Sequence, residues 1–175
     1  MNTLSKGYIQ VYTGDGKGKT TAAFGLALRA VGAGLKVFIA QFVKGMHYSE
    51  LDALKRFENE ITIRQYGRDC FIHKDPTEED IACARAGLAE VAQAIASGEY
   101  QLVILDEANI ATYYQLFSVE ELLEIITGRP EHVEIVITGR KADPRVIEAA
   151  DLVTEMMEIR HYYTKGVEAR AGIEM

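Results

Sequence analysis

Three glycines and two lysines fall within eight residues, Gly14-Asp15-Gly16-Lys17-Gly18-Lys19-Thr20-Thr21. That pattern suits the holding of phosphate. A phosphate is gripped by backbone N–H groups converging from a tight turn at the positive end of a helix. Side chains would block the approach and forbid positive φ angles, which is why glycine fits at 14, 16 and 18. Lys19 can reach terminal phosphates, and the Thr20 hydroxyl can ligate Mg²⁺. The usual spacing is G-x-x-x-x-G-K-[ST], and counting back from Gly18 puts Thr13 where its first glycine belongs. A surface turn capping a helix is the competing reading. An apolar strand before the loop and an amphipathic helix after it favour phosphate.

A second set of candidates ends the apolar run Leu102-Val103-Ile104-Leu105, which is followed by Asp106 and Glu107. In open α/β sheets, ligands gather at the carboxyl ends of strands. A carboxylate there, across from Thr20, can hold Mg²⁺ (or Mn²⁺) directly or through water. Glu107 is favoured as the direct ligand with Asp106 behind it; the competing reading has Asp106 capping the next element. Thr138-Gly139-Arg140-Lys141 places basic groups on the same rim. Arg140 would touch a phosphate or a second acidic ligand there, or belong to a solvated turn.

The elements that must position these groups alternate strand and helix. Strands are expected over residues 8–13, 35–42, 61–66, 101–105, 132–138 and 152–155. Helices are expected over 19–31, 50–57, from a cap at Asp75 through Ile95, from a Ser118/Glu121 capping box through Ile126, and over 145–149. Ile81, Leu88, Val91 and Ile95 share one helical face. Continuous apolar strands between helices mean a mostly parallel sheet covered on both faces, an α/β fold of about six strands.

The bulk numbers narrow the class. The 175 residues fit one domain, and 48% apolar with 26% charged is ordinary globular composition. No apolar run is long enough to span a bilayer, and the first residues lack a secretory pattern. Cys70 and Cys83 are the two cysteines, too few for a disulfide framework or a four-cysteine metal site, so a reducing cytoplasm is expected. The net charge of −7 argues against nucleic acid and anionic membrane as partners. An anionic small molecule then requires a local pocket of positive potential.

The loop with its following helix, then Gln41-Phe42-Val43-Lys44-Gly45, the run ending Asp106-Glu107, residues 146–156 and residues 161–174, resemble, in that order, the ATP:corrinoid adenosyltransferases of the CobA/BtuR type. The resemblance spans nearly the whole chain, and threonine before the first glycine is that family's own version of the loop. It implies a three-layer P-loop NTPase-like (RecA-like) fold, Mg·ATP and a reduced corrinoid as substrates, and attack of Co(I) on C5′ of the ribose with release of triphosphate. It also implies ATP held in reverse, offering carbon rather than the γ-phosphorus. Carried over by residue, Gly14 through Thr21 hold the triphosphate and metal. Asp15 stands where relatives usually have Asn, which leaves a ribose or base contact there open.

Phe71 is the candidate for crowding out the lower corrinoid ligand, with core packing as its alternative; Cys70 and His73 receive no role. Tyr113, Tyr114 and Phe117 are read as core, a dimer seam or a corrinoid contact. The resemblance further implies a homodimer, and a flavoprotein is the expected electron donor. The few residues before the first strand imply no long lid over a partner site. The rival readings are a conventional P-loop ATPase or phosphotransferase, and a non-catalytic nucleotide or corrinoid module.

Overall fold

The computed structural model describes residues 4–68 and 75–174. The chain runs β1 (Ile9–Thr13), α1 (Lys19–Gly32), β2 (Val37–Phe42), α2 (Ser49–Leu54), a 3-10 turn (Lys55–Phe57), β3 (Ile61–Tyr66), α3 (Glu78–Ser97) and β4 (Leu102–Asp106). It continues through α4 (Ala108–Tyr113), α5 (Val119–Thr127), β5 (Glu134–Thr138), α6 (Pro144–Ala149), β6 (Leu152–Glu155) and a second 3-10 turn (Tyr162–Lys165). Among the described residues six strands form one sheet in the order β3-β2-β4-β5-β1-β6, and every pairing is parallel. The mostly parallel α/β expectation is met.

Alternation along the strands divides the core into two layers. Phe38, Ala40 and Phe42 of β2, Val103 and Leu105 of β4, and Ile135 and Ile137 of β5 face the layer covered by α3, α5 and α6. Val37, Ile39, Leu102, Ile104 and Val136 face the opposite layer, under α1 and α2. Helix α1 presents Ala23, Phe24, Ala27 and Ala30 to that face, the small residues letting it lie close to the sheet. Each fully buried Val, Leu, Ile or Phe contributes about 1.5–3 kcal/mol, so the two layers rather than helix propensity hold the strand ends in place.

Some boundaries differ from expectation. Helix α3 is capped by Thr77, not Asp75: the Thr77 hydroxyl accepts from the Asp80 N–H, and the Asp80 carboxylate accepts from the Thr77 N–H. On its apolar face Leu88, Val91 and Ile95 are buried and Ile81 is partly so. The Ser118/Glu121 capping box is present at α5. Helix α4 and the second 3-10 turn had no counterpart in the sequence pattern. Among the described residues no helix is long and apolar enough to cross a membrane.

Candidate active site

The phosphate loop leaves the end of β1 at Thr13 and enters α1 at Lys19. Gly14 has φ 91° and Gly18, at the helix cap, φ 119°, both in the region that side chains disfavour. Space is equally restrictive. A Cβ on Gly14 would lie 2.4 Å from the Met156 carbonyl oxygen. The loop leans on the segment after β6: Gly16 donates its N–H to Met156 O at 2.7 Å, and Met156 donates to Thr13 O at 2.9 Å. Lys19 is buried and folded back, its Nζ donating to the carbonyls of Gly14 and Gly16, each at 2.7 Å. Burial pulls its pKa below the ordinary lysine value, and the nearby Glu107 carboxylate opposes that shift. Lys17 reaches out to the Ile173 carbonyl at 2.8 Å.

Asp106, at the carboxyl end of β4, is fully enclosed and is the hub of the site. Its Oδ1 accepts from the Thr20 hydroxyl at 2.8 Å and the Thr138 hydroxyl at 2.7 Å. Its Oδ2 accepts from Lys44 Nζ at 2.7 Å and Gln41 Nε2 at 3.2 Å. The topology explains the convergence. Strand β5 lies between β1 and β4, so its terminal Thr138 bridges from the strand that feeds the loop to the strand that ends in the acid. Burial works against the Asp106 charge, but Lys44 and the two hydroxyls outweigh it and hold the carboxyl below its ordinary range. The lysine pair-mate shifts the other way: burial opposes its charge, and Asp106 keeps it above the usual lysine value.

Glu107 follows in a left-handed conformation, φ 60°, with its N–H donated to the Thr138 hydroxyl. No donor among the described residues hydrogen-bonds its carboxylate, which opens into a cavity of about 770 Å³. Burial, and then the Asp106 charge, push its pKa above the ordinary glutamate value. The same cavity takes in Gly16, Lys17, Gly18, Lys19, Thr20 and Thr21 from the loop, and Arg140 from the rim. Gly14 and Asp15 do not line it; Gly14 contributes through its carbonyl to Lys19, and Asp15 is exposed. Lys17, Lys19, Lys44 and Arg140 line the cavity beside the carboxylates of Glu50, Glu107 and Glu174, so the basic groups an anion needs are present together with acids that could face a metal ion. The volume lies within the roughly 300–1,000 Å³ of small-molecule sites.

Neither carboxylate caps α4 with its side chain, so the capping alternative for Asp106 is set aside. A hydroxyl and two carboxylates are hard oxygen donors of the kind Mg²⁺ and Mn²⁺ take together with substrate phosphates. The Glu107 carboxylate, which accepts no hydrogen bond from a described residue, fits such an ion; Asp106 accepts four, one of them from Lys44. Phe71, Cys70 and His73 lie outside the described residues. The aromatic trio separates: Phe117 is core, its ring edge-on to Phe42 at 5.2 Å, while Tyr113 is 59% exposed and meets Tyr114 at 5.5 Å.

Several participants carried no assigned role in the sequence. Lys44, Gln41 and Thr138 contact Asp106, and Tyr48, His161 and the segment 172–174 complete the cavity wall. Their shared signal is position: Gln41 and Thr138 sit at or beside the carboxyl end of an apolar parallel strand.

The family model for ATP:corrinoid adenosyltransferase BtuR/CobO/CobP matches residues 5–175. A corrinoid adenosyltransferase of Pseudomonas aeruginosa is 38% identical over 170 residues, covering 97% of this chain and 84% of the relative. The corrinoid adenosyltransferase of Escherichia coli K12 and that of Salmonella typhimurium are each 35% identical, covering 97% of this chain and 86% of the relative. With the match running past both the loop and the acidic strand end, this chain belongs to the BtuR/CobO/CobP family of ATP:corrinoid adenosyltransferases.

Proposed function

We propose that the chain transfers the 5′-deoxyadenosyl group of ATP to the Co(I) of a reduced corrinoid. The electron pair of Co(I) forms the cobalt–carbon bond as the C5′–O bond breaks, and the oxygen leaves with its pair as triphosphate. The observation that carries this reading is the family's loop, with Thr13 ahead of Gly14, opening onto a cavity that gathers Lys19, Thr20 and Glu107.

Co(I) is a strong nucleophile and triphosphate a competent leaving group, so the protein's task is positioning and charge stabilisation. Lys19 exchanges the Gly14 and Gly16 carbonyls for phosphate oxygens when nucleotide enters. Gly18, Thr20 and Thr21 donate to the phosphates from the start of α1, where the helix dipole favours negative charge. Lys17 and Arg140 add charge at the edges. Thr20 and Glu107, with Asp106 behind them, would hold Mg²⁺ or Mn²⁺, which when bound supplies positive charge to the departing triphosphate. Asp106 fixes the Thr20 hydroxyl and so acts through it. Phe71 is retained as the candidate for crowding out the lower corrinoid ligand. The reading takes the whole chain as one catalytic domain, working as a cytoplasmic homodimer with a flavoprotein as reductant.

The test is anaerobic incubation of the protein with Mg·ATP and chemically reduced cob(I)alamin. The expected result is a photolabile product with the spectrum of adenosylcobalamin. ATP binding with no such product would sink the assignment and leave a binding module.

A further inference from the structure

Lys44 donates from Nζ to Asp106 Oδ2 at 2.7 Å and to the Thr20 hydroxyl at 3.3 Å. It also lines the cavity. Its ammonium therefore contacts two of the three groups read above as the metal side. The need for a cation there is plain. Asp106 has no exposed surface and stands next to Glu107, and a buried carboxylate without a partner is strongly disfavoured. Lys44 makes the one ion pair to Asp106 among the described residues, since Lys19 is engaged with the loop carbonyls.

The backbone around Lys44 is built to hold this position. Val43, a β-branched residue, has φ 58°, a conformation that persists only where its surroundings enforce it. The next turn is clamped against the end of β3: a Cβ on Gly67 would lie 2.4 Å from the Lys44 nitrogen, and one on Gly45 would lie 2.4 Å from the Gly67 oxygen. The side chain of Lys44 is a four-carbon stem ending in a point charge, held at present by Asp106 and Thr20. In the same position the ammonium lies 5.4 Å from the centre of the Tyr48 ring, a contact that adds to its hold there.

We propose that Lys44 is the resident cation of the nucleotide-free site: its ammonium holds the Thr20–Asp106 corner against free divalent metal and yields it when metal arrives with triphosphate. The inference rests on the reading of Thr20, Asp106 and Glu107 as the metal side. A monovalent and a divalent cation compete for the same oxygens. The incoming triphosphate brings enough negative charge to keep both, releasing Lys44 toward the phosphates. The empty enzyme then disfavours metal alone, and metal and nucleotide enter together.

The experiment is electron paramagnetic resonance of Mn²⁺ titrated into the full chain, with and without ATP, for wild type, Lys44→Met and Lys44→Gln. Wild type is expected to take up Mn²⁺ weakly alone and tightly with ATP. Both variants are expected to bind Mn²⁺ alone at least tenfold more tightly than wild type does. If they bind it no more tightly, while ATP still recruits Mn²⁺ to wild type, Lys44 is not the barrier and the metal reading survives without it. If ATP recruits no Mn²⁺ to wild type, the metal reading fails and the proposal goes with it. Thermal melting of wild type needs no variant: millimolar Mg²⁺ alone leaves Tm unmoved and Mg·ATP raises it, whereas a rise with Mg²⁺ alone overturns the proposal.

Discussion

Asp106 and Glu107 are chain neighbours in opposite environments. Asp106 meets a lysine, two hydroxyls and an amide, and its depressed pKa adds stability above the ordinary carboxylate range that is lost as pH falls through the depressed value. Glu107 has a raised pKa, so its contribution is present below the ordinary glutamate range and is lost as pH rises through the raised value. At neutral pH, Asp106→Ala should cost about 3–5 kcal/mol by stranding the Lys44 charge, measured by urea unfolding. Glu107→Gln should hold or raise Tm while lowering adenosylation by about 10²-fold or more; a clear drop in its Tm would show that the Glu107 charge stabilises the fold. Lys19→Ala should remove turnover, and near-normal turnover would show that the loop is misassigned. The glycine–lysine loop was legible because its backbone geometry admits few residue types. Lys44 was not, because its partner is 62 residues away and a lysine after a strand reads as an ordinary loop residue.

At the scale of elements, the strands were legible from apolar runs, and their carboxyl ends placed Asp106 and Thr138 on one rim. Helix starts were harder. Asp75-Pro76-Thr77-Glu78-Glu79-Asp80 contains two overlapping capping patterns, and the one satisfied at both ends, Thr77 with Asp80, wins. Helix α4 escaped notice because six residues carry little periodicity and its start depends on the left-handed turn at Glu107. The Asp80 cap yields a pH prediction. Burial works against its charge, but the Thr77 hydroxyl and N–H, with Arg68, hold the carboxyl below its ordinary range. Its stabilisation is therefore present above that range and lost as pH falls below it. Asp80→Asn should lower stability by about 1 kcal/mol at neutral pH and flatten the acid limb of Tm against pH. An unchanged acid limb would mean that the cap is not a source of acid lability.

At the scale of the molecule, the chain ends by returning to its own loop. Met156 engages Thr13 and Gly16, and Ile173 accepts from Lys17. Arg170 and Tyr162 both bond Glu174 and keep that return in place. Composition and periodicity gave no hint of this contact, since the apolar residues of the segment follow no regular period and its partners lie at the other end of the sequence. Removing residues 158–175 should weaken ATP binding by about tenfold, or about 1.4 kcal/mol, measured by calorimetry. Unaltered affinity would show that the segment is only a neighbour of the site.

The central claim is that the loop presents carbon rather than phosphorus to the nucleophile. Phosphorus NMR of the anaerobic reaction with cob(I)alamin tests it most directly. Triphosphate should appear one-for-one with the cobalt–carbon bond, with no ADP. ADP or inorganic phosphate in that proportion would contradict it.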